Sequence, residues 1–233
     1  INLNKKKMSQ IWLTGSKYIL VKKIIKKKKN LSYKSKKFKL LLHAGGSSSY
    51  KYIKDFTVAT LEAVNRYNLD ASILCTSKDS KDFIKKILRK YANIKKIKIL
   101  PFIKNLSKKL KNYDIVAGPS GTTTFETILS GAIPFSVPIK NDGRDSVNSW
   151  NSLGHLTHLN SKEKKNKVIL KDMWTLIISN YEKLLDLLIQ NSKELDGLGP
   201  KRLAEKIIFY YKNNKRKQVY KNEKKDNNLV VSK

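Results

Sequence analysis

The chain has 233 residues, 40% of them hydrophobic, enough for one large domain with a sizeable core and too many for a chain disordered throughout. Fifty lysines and arginines against eighteen acids leave a formal net charge of +32, which invites nucleic acid or an anionic membrane as a partner. The nucleic-acid or membrane reading is disfavoured, because arginine stands only at Arg66, Arg89, Arg144, Arg202 and Arg216, whereas base and phosphate readers favour the bidentate guanidinium, and a chain rich in Lys, Asn and Ile is also what A/T-biased coding lays on solvated surfaces.

Residues 1–37 are mostly basic and polar, with two apolar islands, "IWLTG" and "YILVKKII". From Phe38 the rhythm becomes regular. "FKLLLHA" (38–44) is a nearly continuous apolar run, as expected of a buried parallel strand, and "GGSSS" follows it. "YKYIKDFTVATLEAVNRY" places Ile53, Phe56, Thr57, Thr60, Leu61 and Val64 at helical spacing. "DASILCT" predicts a second strand. Its Cys75 is the lone cysteine, so no internal disulfide forms and a reducing, cytoplasmic compartment is expected. "SKDFIKKILRKYA" predicts a second helix, with Ser80 or Asp79 as its cap. "IKKIKILPF" is a third strand ended by Pro101, "NLSKKLKN" a short helix, and "YDIVAGP" a fourth strand. "GTTTFETILSGA" is a short helix ended by Gly131, and "IPFSVPI" a fifth strand. "DSVNSWNSLG" reads as a helix and "HLTHLN" as a sixth strand with period-2 alternation.

Beyond that point the pattern is helical. "LKDMWTLIISNYEKLLDLLIQNS" carries apolar residues at three- and four-residue steps, and "GPKRLAEKIIFYYKNN" starts with Pro200 near the first helical position. The polar end, 213–233, is expected to fray. No apolar run approaches about 20 residues, so no membrane-spanning helix is predicted, and "INLNKKKMSQIWLTG" lacks the features of a signal peptide.

Strands alternating with helices predict βαβ units and an α/β, Rossmann-like, doubly wound parallel sheet of about six strands over residues 38–212. Ligands of such sheets sit at the carboxyl ends of the strands, which selects the loops worth reading. After the first strand, His43-Ala44-Gly45-Gly46-Ser47 lets backbone approach a ligand and offers amides and hydroxyls to an anion. The same residues also suit a plain βα turn, and they form neither a Walker A motif nor GxGxxG. After the fourth strand, Gly118, Pro119, Ser120 and Gly121 turn the chain, and Thr122, Thr123 and Thr124 open a helix, an arrangement that cradles anions. Glu126 lies about one turn in. It either accepts hydrogen bonds from a diol such as a ribose or simply favours the helix dipole. His155 and His158, three apart in the expected sixth strand, point to opposite faces there, which argues against a shared metal. No Cys/His/Asp cluster has ligand spacing, so no metal or cofactor is expected, and no G-x-S-x-G elbow supports a serine hydrolase. His43 is expected to be structural, and Trp12, Trp150 and Trp174 to be core.

The two glycine loops at equivalent points of successive strand–helix units, the second running into "FETILSGAIPFSVP", resemble the C-terminal domain of GT-B nucleotide-sugar enzymes. Within that superfamily the chain resembles the UDP-sugar hydrolase of pseudaminic acid biosynthesis and its spore-coat polysaccharide relatives. "LTGSKYILVKKII" is similar to that family's interdomain segment, "LLLHAGGSSSYKYIKDFTVATLEAV" to its first strand, loop and helix, and "ELDGLGPKRLAEKI" to its closing helix start; together they cover roughly residues 11–212.

The resemblance implies a UDP-sugar ligand. Ser120, Gly121, Thr122 and Thr123 would hold the diphosphate with Gly45, Gly46 and Ser47 nearby, Glu126 the ribose, and Phe102 and Ile103 the uracil. The family's Asn-Gln pair after the fifth strand is missing from "NDGRDSVNSWNSLG", where Asp145 or Asn148 would take the sugar side. It also implies that residues 1–37 are an interdomain segment, and that the catalytic histidine belongs to an N-terminal Rossmann domain or a separate partner chain. A UDP-GlcNAc-type glycosyltransferase half and a non-catalytic nucleotide-binding module remain the alternatives.

Overall fold

The computed structural model describes residues 13, 15–24, 37–45, 50–90, 97–139, 151 and 154–227. Leu40, Leu41 and Leu42 are all buried, as an unbroken apolar run must be when both faces of its strand are covered. They belong to β1 (Lys39–His43), the centre of a parallel sheet with β2 (Asp70–Leu74), β3 (Ile97–Leu100), β4 (Ile115–Pro119) and β5 (Ile133–Val137), in the order β3-β2-β1-β4-β5. The two-residue period of a strand divides β1 between two cores. Leu40 and Leu42 join the large cluster with Ile115, Ala117, Ile133 and Phe135, while Leu41 joins Leu110, Val116 and Ala132 on the other face.

Among the described residues, helices α1 (Lys54–Arg66), α2 (Lys78–Leu88), α3 (Leu106–Leu110) and α4 (Thr122–Ser130) lie between the strands, and α5 (Lys167–Ser179), α6 (Tyr181–Asn191) and α7 (Gly199–Asn227) follow the sheet. Phe135 of β5 packs edge-on against Phe56 of α1 at 4.8 Å and Trp174 of α5 at 5.1 Å, so three aromatic rings join the sheet to both helices. The buried Asp114 ties the start of β4 to β1. Its Oδ2 accepts from the Lys39 amide at 2.9 Å, and its own amide donates to the Lys39 carbonyl at 2.8 Å.

Several expectations need correction. The sixth strand is a single parallel bridge between Ser136 and His158, because the rings of His155 and His158 both turn to the Ser136 hydroxyl instead of alternating. The cap of α2 is Ser77, whose Oγ accepts from the Ser80 amide at 3.2 Å; Ser80 is a buried residue of the first turn. The helical pattern that begins at Leu170 is carried by two helices, α5 and α6, which meet at Asn180 (φ −120°, ψ 26°). The last helix runs on to Asn227, past the point near Asn214 where its sequence pattern ends. The helix expected over "DSVNSWNSLG" falls mostly on residues outside those described, as do Trp12 and Trp150, whereas Trp174 is buried.

Two separate sequence islands meet. In the turn before α7, a Cβ on Gly197 would lie 2.4 Å from Lys23 Cα, and one on Gly199 would lie 2.1 Å from the Ile19 carbonyl oxygen. Backbone therefore lies on backbone, and Val21 between these contacts is buried in the core. Arg202 donates to the Lys17 carbonyl at 3.0 Å and to both carboxylate oxygens of Asp196 at 2.8 and 2.5 Å. That fork holds the Asp196 carboxyl down at about 2.

Candidate ligand-binding site at the reversal of strand order

From β1 the chain winds to β2 and β3 on one side; from β4 it winds to β5 on the other. The crevice where winding reverses, outside the carboxyl ends of β1 and β4, is where such sheets bind ligands. Both small-residue loops leave the sheet there. They touch: a Cβ on Gly45 would lie 3.5 Å from Pro119 Cγ.

His43 builds this junction. It is buried, and its Nδ1 accepts from the Gly45 amide at 3.1 Å, so the neutral ring carries its proton on Nε2. Gly118 stands beside it on β4, where a Cβ would come within 2.5 Å of Nε2 and 2.6 Å of the His43 carbonyl oxygen. Glycine is therefore required at 118 by the ring on β1. Tyr50, where the chain returns from the first loop, donates to the Leu74 carbonyl at 2.8 Å and the Leu42 carbonyl at 3.3 Å. It pins the loop's far end to the tops of β1 and β2.

These bonds divide the expected ligand-binding groups. The amides of Gly45 and Ser120 are occupied, the first by His43 and the second by the Val137 carbonyl at 2.8 Å, so neither can serve an anion. Thr124 closes the helix start, its hydroxyl accepting from the Gly121 amide at 3.3 Å and its amide donating to the Gly121 carbonyl at 3.0 Å. The amides of Thr122 and Thr123 then head α4 with no partner inside a helix. Thr122 is exposed and Thr123 half-buried, as is the Ser120 side chain. Glu126 is half-buried, and burial raises its carboxyl above the usual range. Hydrogen-bond donors from a ligand would offset that loss of solvation.

Phe102, 71% exposed, and the half-buried Ile103 follow β3, at the sheet edge, with β2 and β1 between it and β4. Gly46, Ser47, Asp145 and Asn148 lie outside the described residues. Sequence reasoning missed the loop-building part of His43 and Tyr50. The signal for the first was His43 immediately before a glycine loop with Gly118 on the neighbouring strand. It missed Lys164 as well, a buried lysine whose Nζ donates to the carbonyls of Pro138 and Ile139 beyond β5.

A second polar cluster lies along the same row of the sheet. Ser136 pairs with Gly118, and its Oγ is 2.7 Å from His155 Nε2 and 2.8 Å from His158 Nδ1. One hydroxyl has one proton, so at least one ring nitrogen here donates. Burial, followed by His158, pushes the pKa of His155 well below its usual value, and burial alone lowers His43 to about 4. Below the unfolded histidine pKa of about 6.5 the unfolded chain binds protons that these folded rings refuse, so acid removes stability. Unfolding free energy measured by denaturant is expected to fall from pH 6.5 towards pH 4, by on the order of 3 kcal/mol from His43 alone. His43→Gln should flatten that slope; an unchanged slope would mean the ring is charged in the fold.

No family model matches the chain, and no curated protein matches it. Solved structures do. The UDP-GlcNAc 2-epimerase from Neisseria meningitidis, bound to UDP-GlcNAc, superposes with TM-score 0.53 at 13% identity over 75% of this chain and 44% of its own. MurG from Acinetobacter baumannii gives TM-score 0.58 at 15% identity over 75% of this chain and 50% of its own. The C-terminal domain of a glycosyl transferase group 1 family protein from Francisella tularensis gives TM-score 0.51 at 17% identity over 71% of this chain and 86% of its own. The chain thus spans about half the length of the first two, 44% and 50%, and most of an isolated C-terminal domain. The likeness is one of fold: a parallel α/β sheet flanked by helices, shared with part of the first two structures and most of the third.

Proposed function

We propose that the chain is the nucleotide-gripping half of a UDP-sugar enzyme of surface polysaccharide or nonulosonic acid biosynthesis. Its reaction would cleave the sugar–UDP bond as in UDP-2,4-diacetamido-2,4,6-trideoxy-altropyranose hydrolase. The observation that carries this reading is the junction of the two loops at the strand-order reversal, where α4 begins with Glu126 one turn behind its N-terminus. The amides of Thr122 and Thr123 and the hydroxyls of Ser120, Thr122 and Thr123 hold the diphosphate, with Gly121 giving it room and Gly45, Gly46 and Ser47 also contributing to its binding. Glu126 accepts from the ribose, Phe102 and Ile103 flank the uracil, and Asp145 or Asn148 reaches the sugar. The helix terminus stabilises the charge that grows on the departing diphosphate. The attacking water and its base come from an N-terminal Rossmann half, in the same protein or a partner chain, and the work is done in the cytoplasm.

UDP binding is the test. Calorimetry should show UDP binding by the folded chain, weakened by about 10- to 100-fold in Glu126→Ala, since a hydrogen bond to a charged group contributes about 1.5–3 kcal/mol. The melting point of the ligand-free variant should hardly change. No thermal shift with millimolar UDP would sink the proposal. A glycosyltransferase half would use the same grip, with an acceptor hydroxyl in place of water. Among the alternatives, a nucleic-acid binder would instead lose affinity steeply with salt and ignore Glu126.

A further inference from the structure

Helices α1 and α5 lie side by side over the large core, and a cavity of about 320 Å³ opens between them. Closely packed interiors hold few voids larger than a water molecule, so a hollow of this size is not slack in the packing. It falls at the lower end of the roughly 300–1,000 Å³ that small-molecule sites occupy. Its cause lies on α1. Ala59 and Ala63, four apart and so on one helix face, are both buried and put only methyl groups where α5 brings Trp174 to the same hollow. The walls are held in place by the fold itself. Trp174 stands edge-on against Phe135 at 5.1 Å, and the hydroxyl of Tyr67, just past the end of α1, lies 2.7 Å from the Thr175 hydroxyl of α5.

The polar groups of the hollow sit on its rim. Arg66 of α1 and Lys171 of α5 bring one cation from each helix, and Glu62 brings one acid; all three are exposed. The Arg66 guanidinium lies over the Tyr67 ring, 5.4 Å from its centroid. That balance of charge favours an anion. Trp174 adds an unmet donor, because its buried indole N–H donates to no group among the described residues, and such a group costs about 1–3 kcal/mol until an acceptor reaches it. Apolar and aromatic walls with a few convergent polar groups are the make-up of a small-molecule site. The hollow is also remote from the nucleotide crevice. Helix α1 carries the chain from the carboxyl end of β1 to the amino end of β2, so its second half lies towards the opposite end of the sheet.

We propose that the hollow between α1 and α5 is a second ligand site, for a small aromatic carboxylate whose ring rests on Ala59, Ala63 and Trp174 and whose charge meets Lys171 and Arg66. The proposal does not rest on the nucleotide reading. Its test titrates the full chain with naphthalene-2-carboxylate and, separately, with the uncharged naphthalene-2-carboxamide, following the indole N–H signals by NMR; Trp12→Phe and Trp150→Phe assign the Trp174 signal by elimination. The carboxylate should shift that signal and saturate it at submillimolar concentration, and the carboxamide should bind about tenfold more weakly, for want of charge-assisted hydrogen bonds. Lys171→Met alters an exposed residue, so it should keep the melting point, weaken the carboxylate about tenfold and leave the carboxamide as it was. Lys201→Met removes the same charge from the start of α7 and should bind both probes like the wild type. An unmoved Trp174 signal, or equal binding of the two probes, overturns the proposal. Equal losses in Lys171→Met and Lys201→Met also overturn it, because the general attraction of a chain of charge +32 would then be the cause.

Discussion

Gly118→Ala is expected to destabilise the protein by about 3 kcal/mol, lowering the melting temperature by roughly 6–12 °C, and to abolish UDP binding. The new methyl group would meet His43 Nε2 at 2.5 Å and the His43 carbonyl oxygen at 2.6 Å. The ring cannot swing away without losing the Gly45 amide it accepts from. The backbone carbonyl is less able to move, because β1 pairs on both sides. Either β1 and β4 part or the first loop is displaced, and both changes damage the crevice. A double-mutant cycle separates the two contacts: Gly118→Ala should cost less in a His43→Ala background, where only the carbonyl clash survives. Equal cost in both backgrounds would show that the ring does not set the spacing of the strands.

Gly197→Ala should act at the other end of the molecule with similar force. Position 197 has φ +75°, which disfavours any side chain, and its Cβ would lie 2.4 Å from Lys23 Cα and 2.5 Å from the Lys23 nitrogen. Gly131 provides the control: its φ is +80°, but a Cβ there meets nothing within 4 Å. Gly131→Ala therefore carries backbone strain alone, about 1 kcal/mol. Gly197→Ala adds a backbone collision and should cost about 3 kcal/mol, with the segment around Val21 losing hydrogen-exchange protection. If the two variants melt together, the close approach of residues 22–23 to the turn before α7 is wrong.

Much of this architecture was legible in the residues. "FKLLLHA", "DASILCT" and "YDIVAGP" read as buried strands because strands covered on both faces need apolar residues without alternation, and β1, β2 and β4 fall within them. The short helix over "GTTTFETILSGA" ended where Gly131 stands, with φ +80°. Less legible were features in which a distant group overrules a local pattern. "HLTHLN" alternates like a strand, yet the hydroxyl of Ser136 draws both histidines to one place. The Ser120 amide, which the loop pattern offers to an anion, donates to the Val137 carbonyl, so a ligand role there falls to the side chain.

Local chemistry, by itself, determined the order of strands and helices, the two small-residue loops and the acid one turn into α4, because periodicity and turn preferences act over a few residues and are written where they act. Tertiary structure alone decided that the amides of Gly45 and Ser120 are already engaged, why Gly118 must be glycine, and that the segment at Ile19–Lys23 lies against the turn at Gly197–Gly199. Each of these depends on groups brought within a few ångströms from far along the chain, where hydrogen-bond partners are exchanged and space is contested, and no local pattern carries that information.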